Sequence, residues 1–403
     1  MFISRRFLQI ALATTALSGC ASTPPHAGPA LGAGTPGTSA PAAADGEVAR
    51  IRIGPSPAQG ALASMDSEPG DEPSAVLSSS GQLRPEVQAY ARQLAADRGL
   101  RVDAVVSALS GARYSETVAR LIAPPPGKKI SRSWITYRSR VVEPKTIGWG
   151  VTFWQENHDS LDRAAQRFGV PASVIVAIIG VETRYGRNMG SFRVLDSLST
   201  LAFDYPDPAK PERAQMFRDQ LSDFLTLVMQ GKLDLQTRGS YAGAIGMPQF
   251  MPGSVMRYAV DGDGTGHIDL ANSPNDAILS VGNFLMEHGW QRGLPVFAPV
   301  TLPADPSPLV DGGLKPQRDW PGLRAAGAAA RAGTMQTGAG NAWQQGPLGV
   351  IDLPEESAGT AEYRTATVNF FALTQYNRSY FYATSVADLA EAVRQRMNLV
   401  AGR

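Results

Sequence analysis

The chain is poor in the residues that carry much hydrolytic and redox chemistry. It has 1 cysteine, Cys20, in 403 residues, so the body beyond that position forms no disulfide and offers no thiol nucleophile. Its 4 histidines fall in no His-Glu-x-x-His pattern and in no evident triad setting, and no Walker loop is present. Metalloprotease and nucleotide-hydrolase readings therefore lack support. An excess of one charge is missing too. The formal net charge is +1 with no basic block, so nucleic acid is not an expected partner. Long apolar runs are also scarce, and the run over residues 7–17 is too short to stay in a bilayer as a spanning helix.

What the amino terminus does hold is specific. Arg5 and Arg6 precede that apolar run, which contains no acidic residue and reads as the core of a signal peptide. It ends in Leu17-Ser18-Gly19-Cys20. Small residues before a cysteine in this setting resemble a lipoprotein signal, cleaved so that Cys20 becomes a lipidated first residue and anchors the chain to a membrane. An ordinary signal peptide with an incidental cysteine is the alternative. Ala21, where an aspartate would favour retention, directs such a lipoprotein to the periplasmic side of the outer membrane. Ser4-Arg5-Arg6 hints at twin-arginine export, although the following residues fit that pattern poorly. Residues 21–81 are rich in Ala, Pro, Gly and Ser without a sustained apolar period, so they read as a disordered tether. A flexible chain of that length spans about 45 Å root-mean-square. Gly32, Gly34 and Gly37 spell a dinucleotide-site pattern, but no strand precedes them and no helix follows.

The remaining residues, about 320, exceed one simple core and suggest two lobes. Residues 82–290 carry helical punctuation. Phe217, Leu221, Phe224, Leu225 and Val228 form one apolar stripe closed by Gly231. Ser273-Pro274-Asn275-Asp276 reads as an N-cap, a proline in the first turn and an acidic start. Ser385 to Asp388 spells a capping box for a helix bearing Leu389, Val393 and Met397. Residues 291–360 are dense in Pro and Gly with short apolar runs, and read as a small strand-containing subdomain inserted before residues 361–403 return to the helical body. The expected fold class is mainly α (α+β).

The chemistry centres on one helix opened by Val170-Pro171. From Ser173 to Val181 it is apolar on every side, so it has to be buried. Glu182 follows at once, then Thr183-Arg184-Tyr185-Gly186. A carboxyl at the end of a buried apolar helix loses solvation, which raises its pKa and suits it to general-acid work near neutral pH. The competing reading is a surface glutamate paired with Arg184 or Arg187.

Four motifs in order then matter together: Gly180-Val181-Glu182-Thr183-Arg184-Tyr185-Gly186, Gly239-Ser240-Tyr241-Ala242-Gly243-Ala244-Ile245-Gly246, Gln249-Phe250-Met251-Pro252, and Tyr376-Asn377. Over about residues 113–397 they resemble the membrane-bound lytic transglycosylase B family. The resemblance implies a lysozyme-like helical core and cleavage of the peptidoglycan bond between N-acetylmuramic acid and N-acetylglucosamine. It implies Glu182 as the one catalytic acid, closing a 1,6-anhydro ring without water. It implies that the Ser240 hydroxyl contacts the sugar acetamido group or positions the glutamate, and that Gln249 lies in the substrate groove. Tyr137, Tyr376, Asn377 and Tyr382 match groove residues that bind sugar or steady Glu182. Phe284 departs from the family, which often has a tyrosine there. A hydrolytic muramidase with the same acid, and a wall-binding protein without turnover, are the alternatives.

No cofactor is required by this reading, but a structural Ca2+ enters with the loop over residues 261–276. Asp261, Asp263 and Thr265 occupy the first, third and fifth positions of an EF-hand-like pattern, with Gly266 sixth, His267 seventh and Ile268 eighth. The family has such a loop here. Asn272 stands where a bidentate glutamate belongs, leaving Asp276 to close the site. An Asp/Gly turn held by its own hydrogen bonds is the alternative.

Overall fold

A computed structural model describes residues 76–123, 131–331 and 341–401. The expected signal peptide, Cys20 and the tether as far as residue 75 lie outside them. Fourteen helices are described. The amino-terminal helices α1 (Pro85–Arg98), α2 (Val102–Ser110) and α3 (Glu116–Ile122) lead to α4 (Trp134–Val141), α5 (Pro144–Glu156), α6 (His158–Phe168) and α7 (Ala172–Thr183). Then come α8 (Val194–Phe203), α9 (Pro211–Met229), α10 (Pro252–Tyr258) and α11 (Pro274–Glu287). The short α12 (Trp320–Ala325) precedes the closing pair α13 (Val368–Thr374) and α14 (Tyr380–Ala401). Among the described residues no single helix is long and apolar enough to cross a membrane.

Local chemistry accounts for most starts. Ser115, Ser133, Ser273, Asp319 and Thr367 each accept a backbone N–H of the first turn of α3, α4, α11, α12 and α13, which satisfies a donor that the helix itself leaves orphaned. Proline in the first turn of α1, α5, α9, α10 and α11 needs no donor and arrives with a helical φ. The stripe expected over 217–228 is the buried face of α9, and Gly231 follows it with φ 70°.

The core is organised around α7. Every residue from Ala172 to Val181 is buried, as an all-round apolar helix requires. Helices α5, α6, α11 and α14 pack against it, while α8 and α9 pair beside them. Three two-stranded antiparallel pairs complete the structure: β1 (Phe192–Arg193) with β2 (Arg238–Gly239), β3 (Val300–Thr301) with β4 (Ala329–Ala330), and β5 (Gly349–Glu355) with β6 (Thr360–Ala366). A second, smaller apolar cluster gathers Trp320, Leu323, Trp343, Leu348 and Val350. The hairpin β5–β6 joins the two: Ile351 and Leu353 belong to the main core, while Val350, one position before Ile351 and so on the other face of the strand, belongs to the small one.

Three boundaries differ from the sequence reading. Val76 is fully buried, its carbonyl accepts from Arg84 N, and Leu77 pairs with Leu83, so residues 76–81 belong to the folded body and not to the tether. The boundary at 360 cuts the hairpin at the first residue of β6, and strands paired over their whole length cannot be divided there. Ser385 is no cap. Helix α14 begins at Tyr380, Ser379 Oγ accepts from Tyr382 N, and Ser385 is buried inside the helix. The aromatic run Tyr380-Phe381-Tyr382 packs into the core as helix, which overrides the local capping signal.

Candidate active site

The end of α7 is an unusual turn. Arg184 and Tyr185 adopt φ 52° and 62°, and with Gln249 at 51° they are the non-glycine residues in the left-handed region among those described. Such conformations cost roughly 1–3 kcal/mol each and persist where the surroundings fix them. The fixing is visible. The Thr183 hydroxyl accepts from Gly186 N at 3.0 Å and donates to the Met247 carbonyl at 2.9 Å, tying this turn to the Gly246-Met247 loop. The Tyr185 ring is buried, 5.4 Å from the Phe153 ring. A Cβ on Gly180 would stand 2.5 Å from its hydroxyl oxygen, and one on Gly150 equally close. Both positions need glycine so that the ring can fold back under the helix end.

Glu182 therefore projects from a rigid stub. It keeps a partly accessible edge although protein surrounds its carboxyl, the geometry of a recess. Burial pushes its pKa up from 4.5 to about 7, against an opposing hydrogen bond from Tyr382 that favours the charged form. That hydroxyl donates to Oε1 at 2.6 Å. The cations that follow go elsewhere. Arg184 Nη2 stands 3.9 Å from Glu143, and Arg187 lies over the Trp149 ring at 4.7 Å. None of the groups acting on the Glu182 carboxyl is another carboxylate among the described residues.

The tyrosines converge on this group. Burial and the Glu182 charge raise the pKa of Tyr137, Tyr376 and Tyr382, so all three are within electrostatic reach of it. Their rings have different jobs. Tyr382 is fully buried and touches no solvent, so it steadies Glu182 and cannot meet a ligand. The Tyr376 ring stacks on it at 6.2 Å, and the Tyr376 hydroxyl donates to the Pro248 carbonyl at 2.7 Å. Tyr137 is half-buried against Phe381. Phe284 packs 4.8 Å from the Tyr376 ring and against Phe250, Tyr258 and His288, an aromatic backing in which a tyrosine hydroxyl would need a partner.

Ser240 and Gln249 are brought to the same loop system. Ser240 Oγ accepts from Ala244 N at 3.0 Å, leaving its proton to donate. Gln249 Nε2 donates to the carbonyls of Met189 and Gly246, so the side chain braces the loop. Asn377 is buried, and among the described residues its Oδ1 has no hydrogen-bond partner. Sequence reasoning missed Thr183, Tyr185 and Gly150, and for Gly150 no local signal exists, since its reason is a ring thirty-odd positions away.

The loop at 261–276 gathers its own acidic cluster. Asp261, Asp263 and Asp276 bring one carboxylate oxygen each within 4.8 Å of one another. Asn272 Nδ2 donates to Asp269, which turns it away from them, and Asp276 is fully buried where a closing ligand would stand. Three converging carboxylates are a hard oxygen donor set of the kind calcium takes. The Thr265 hydroxyl is spent on the His267 carbonyl at 3.2 Å. The loop also holds itself. Asp261 accepts from the N–H groups of Gly264, Thr265 and Gly266, and Asp276 from those of Gly262 and Asp269.

A family described as the transglycosylase SLT domain matches residues 82–391. The membrane-bound lytic murein transglycosylase B of Escherichia coli is 38% identical over 320 residues, 77% of this chain and 82% of its own length. Soluble lytic transglycosylase SltB1 from Pseudomonas aeruginosa superposes with a TM-score of 0.68 at 35% identity, covering 78% of this chain and 100% of that one. The Escherichia coli lytic transglycosylase SLT35, solved in complex with calcium, gives 0.65 at 35% identity over 78% of this chain and 94% of its own.

Proposed function

This chain belongs to the transglycosylase SLT-domain family, and from that premise we propose how its residues perform the reaction. It is a peptidoglycan lytic transglycosylase. Glu182 is its acid. With a pKa near 7 the group holds a proton at neutral pH often enough to give it to the glycosidic oxygen. The Tyr382 hydroxyl occupies Oε1, which leaves Oε2 for that proton. Once ionised, Glu182 takes a proton from the C6 hydroxyl of the muramoyl sugar as that oxygen closes on C1, giving the 1,6-anhydro end. The nucleophile is already part of the substrate, so no second carboxylate is needed to activate water. The observation that carries this is a lone, buried, proton-holding carboxyl with no acidic partner. Ser240 donates to the acetamido group and Tyr137 and Tyr376 line the groove, while Asn377, whose Oδ1 is closed off from solvent, supports its wall. Gln249 holds the groove loop.

The membrane-bound name of the Escherichia coli relative supports association with a membrane. We place the anchor at Cys20 and the enzyme on the periplasmic side of the outer membrane, on the strength of the lipoprotein-like signal. The loop at 261–276 takes a structural calcium ion through Asp261, Asp263 and Asp276, supported by the relative solved with calcium and by the converging carboxylates. It supplies rigidity and takes no part in bond cleavage.

Glu182→Gln tests the central assignment. Both proton transfers use one group, so turnover should fall by more than the roughly 10²–10⁴-fold typical of one acid–base interaction. Folding by circular dichroism and sedimentation with sacculi should persist. A folded variant that still releases anhydromuropeptides at near-native rate would overturn the assignment, and reducing muramic ends from the native enzyme would select hydrolysis.

A further inference from the structure

The turn that follows the acid carries part of a charged surface that the reaction as described does not use. Helix α5 carries Lys145 and Trp149 one turn apart, and Arg187 comes from the turn just past Glu182. Lys145 Nζ sits 4.8 Å from the Trp149 ring centroid and the Arg187 guanidinium 4.7 Å from it, so two cations share one aromatic ring. Stacking them holds both in fixed positions at little hydration cost. Arg187 is further fixed by a hydrogen bond from Nη1 to the Arg184 carbonyl at 3.2 Å. Both cations are exposed, and among the described residues neither forms an ion pair, while the nearby Glu143 is turned to Arg184. Two like charges kept together without an acid are unfavourable unless an anion visits them.

We propose that Lys145, Trp149 and Arg187 form a subsite for the acidic stem peptide of the muramoyl sugar being cleaved. This rests on the lytic transglycosylase reading above. The sugar whose C1 meets Glu182 is the one that bears the peptide, so the stem leaves the groove beside that residue. Peptidoglycan stems carry several free carboxylates. An extended stem of four or five residues reaches roughly 15 Å, and Arg187 stands on the very turn that follows the acid. A planar guanidinium and an adjacent ammonium present several donors to such carboxylates, and the indole face covers the apolar side chains between them.

The test compares glycan strands that keep their uncrosslinked peptides with strands stripped of them by an amidase. The native enzyme should prefer the peptide-bearing strands, more so at low salt. In Lys145→Glu and Arg187→Glu the ratio of kcat/KM for bearing over stripped strands should fall about tenfold, chiefly through KM, while Lys145→Arg and Arg187→Lys keep it. Should a reversed-charge variant lose turnover altogether, co-sedimentation of the two strand types in a Glu182→Gln background reads the same ratio. A ratio equal to the native one, in either assay, overturns the subsite. Loss of the Glu182 reading looks different, since it would remove acid-dependent cleavage of both substrates alike.

Discussion

At the scale of single residues, Glu182 sets two pH dependences that fall together as the pH rises. Its folded pKa of about 7 lies above the ordinary 4.5, so the folded state binds this proton more tightly than the unfolded chain does. Stability from this group is full below about pH 4.5, is lost as the pH rises toward 7 and is level above. The cost at alkaline pH is at most roughly 3 kcal/mol, less what solvent removes at the accessible edge. Glu182→Gln carries no such cost. Its melting temperature should exceed the native one by several degrees at pH 8 and by little at pH 4.5; an equal difference at both values would sink the account. Catalysis by the proposed acid declines over the same range, because the group must be protonated. The alkaline limb of kcat/KM should fall near pH 7. In Tyr382→Phe, losing a hydrogen bond that favours the carboxylate, that limb should move to higher pH. A limb that stays in place would mean that Tyr382 steadies Glu182 without tuning it. Gly180→Ala tests the packing: its Cβ meets the buried Tyr185 hydroxyl, so about 1–3 kcal/mol of stability and much of the turnover should go together in thermal melts and assays.

Among the elements, what could be read was what depends on neighbours in sequence. The apolar run of α7, the stripe of α9 and the Ser273-Pro274 start of α11 each contain their own reason. The start of α14 does not, because Tyr380 to Tyr382 is helix through what it packs against. Glu182 was legible as a carboxyl at the end of a buried helix. Tyr382, two hundred positions later, was legible as its partner only through family resemblance, since no rule of spacing links them. The loop at 261–276 lies between these cases: the carboxylates are in the pattern, but their internal hydrogen bonds are not. That double duty separates its residues. Calcium should raise the melting temperature of the native protein, and Asp261→Ala should abolish the rise. Asp276→Ala should destabilise by about 1–3 kcal/mol even in chelator, because one buried and one half-buried backbone N–H lose their acceptor. A native melting temperature indifferent to calcium removes the metal from the account.

For the whole molecule, the proposed anchor at Cys20 would leave chemistry to the helical body and location to the amino terminus. Cys20→Ala should shift the protein from the membrane fraction to the soluble periplasm, or leave it uncleaved, while the purified body keeps its turnover; unchanged membrane association would end the anchor proposal. The hydrogen bond from Tyr382 to Glu182 spans 200 positions of chain, and this has a consequence in time. Contacts so distant in sequence form late, after the closure entropy of the intervening chain has been met. A growing or threading polypeptide can complete α7 and still lack the helix that sets its acid. The enzyme thus remains inert toward sugar strands until its last helix docks, and on refolding from denaturant its helical signal should return before its activity does.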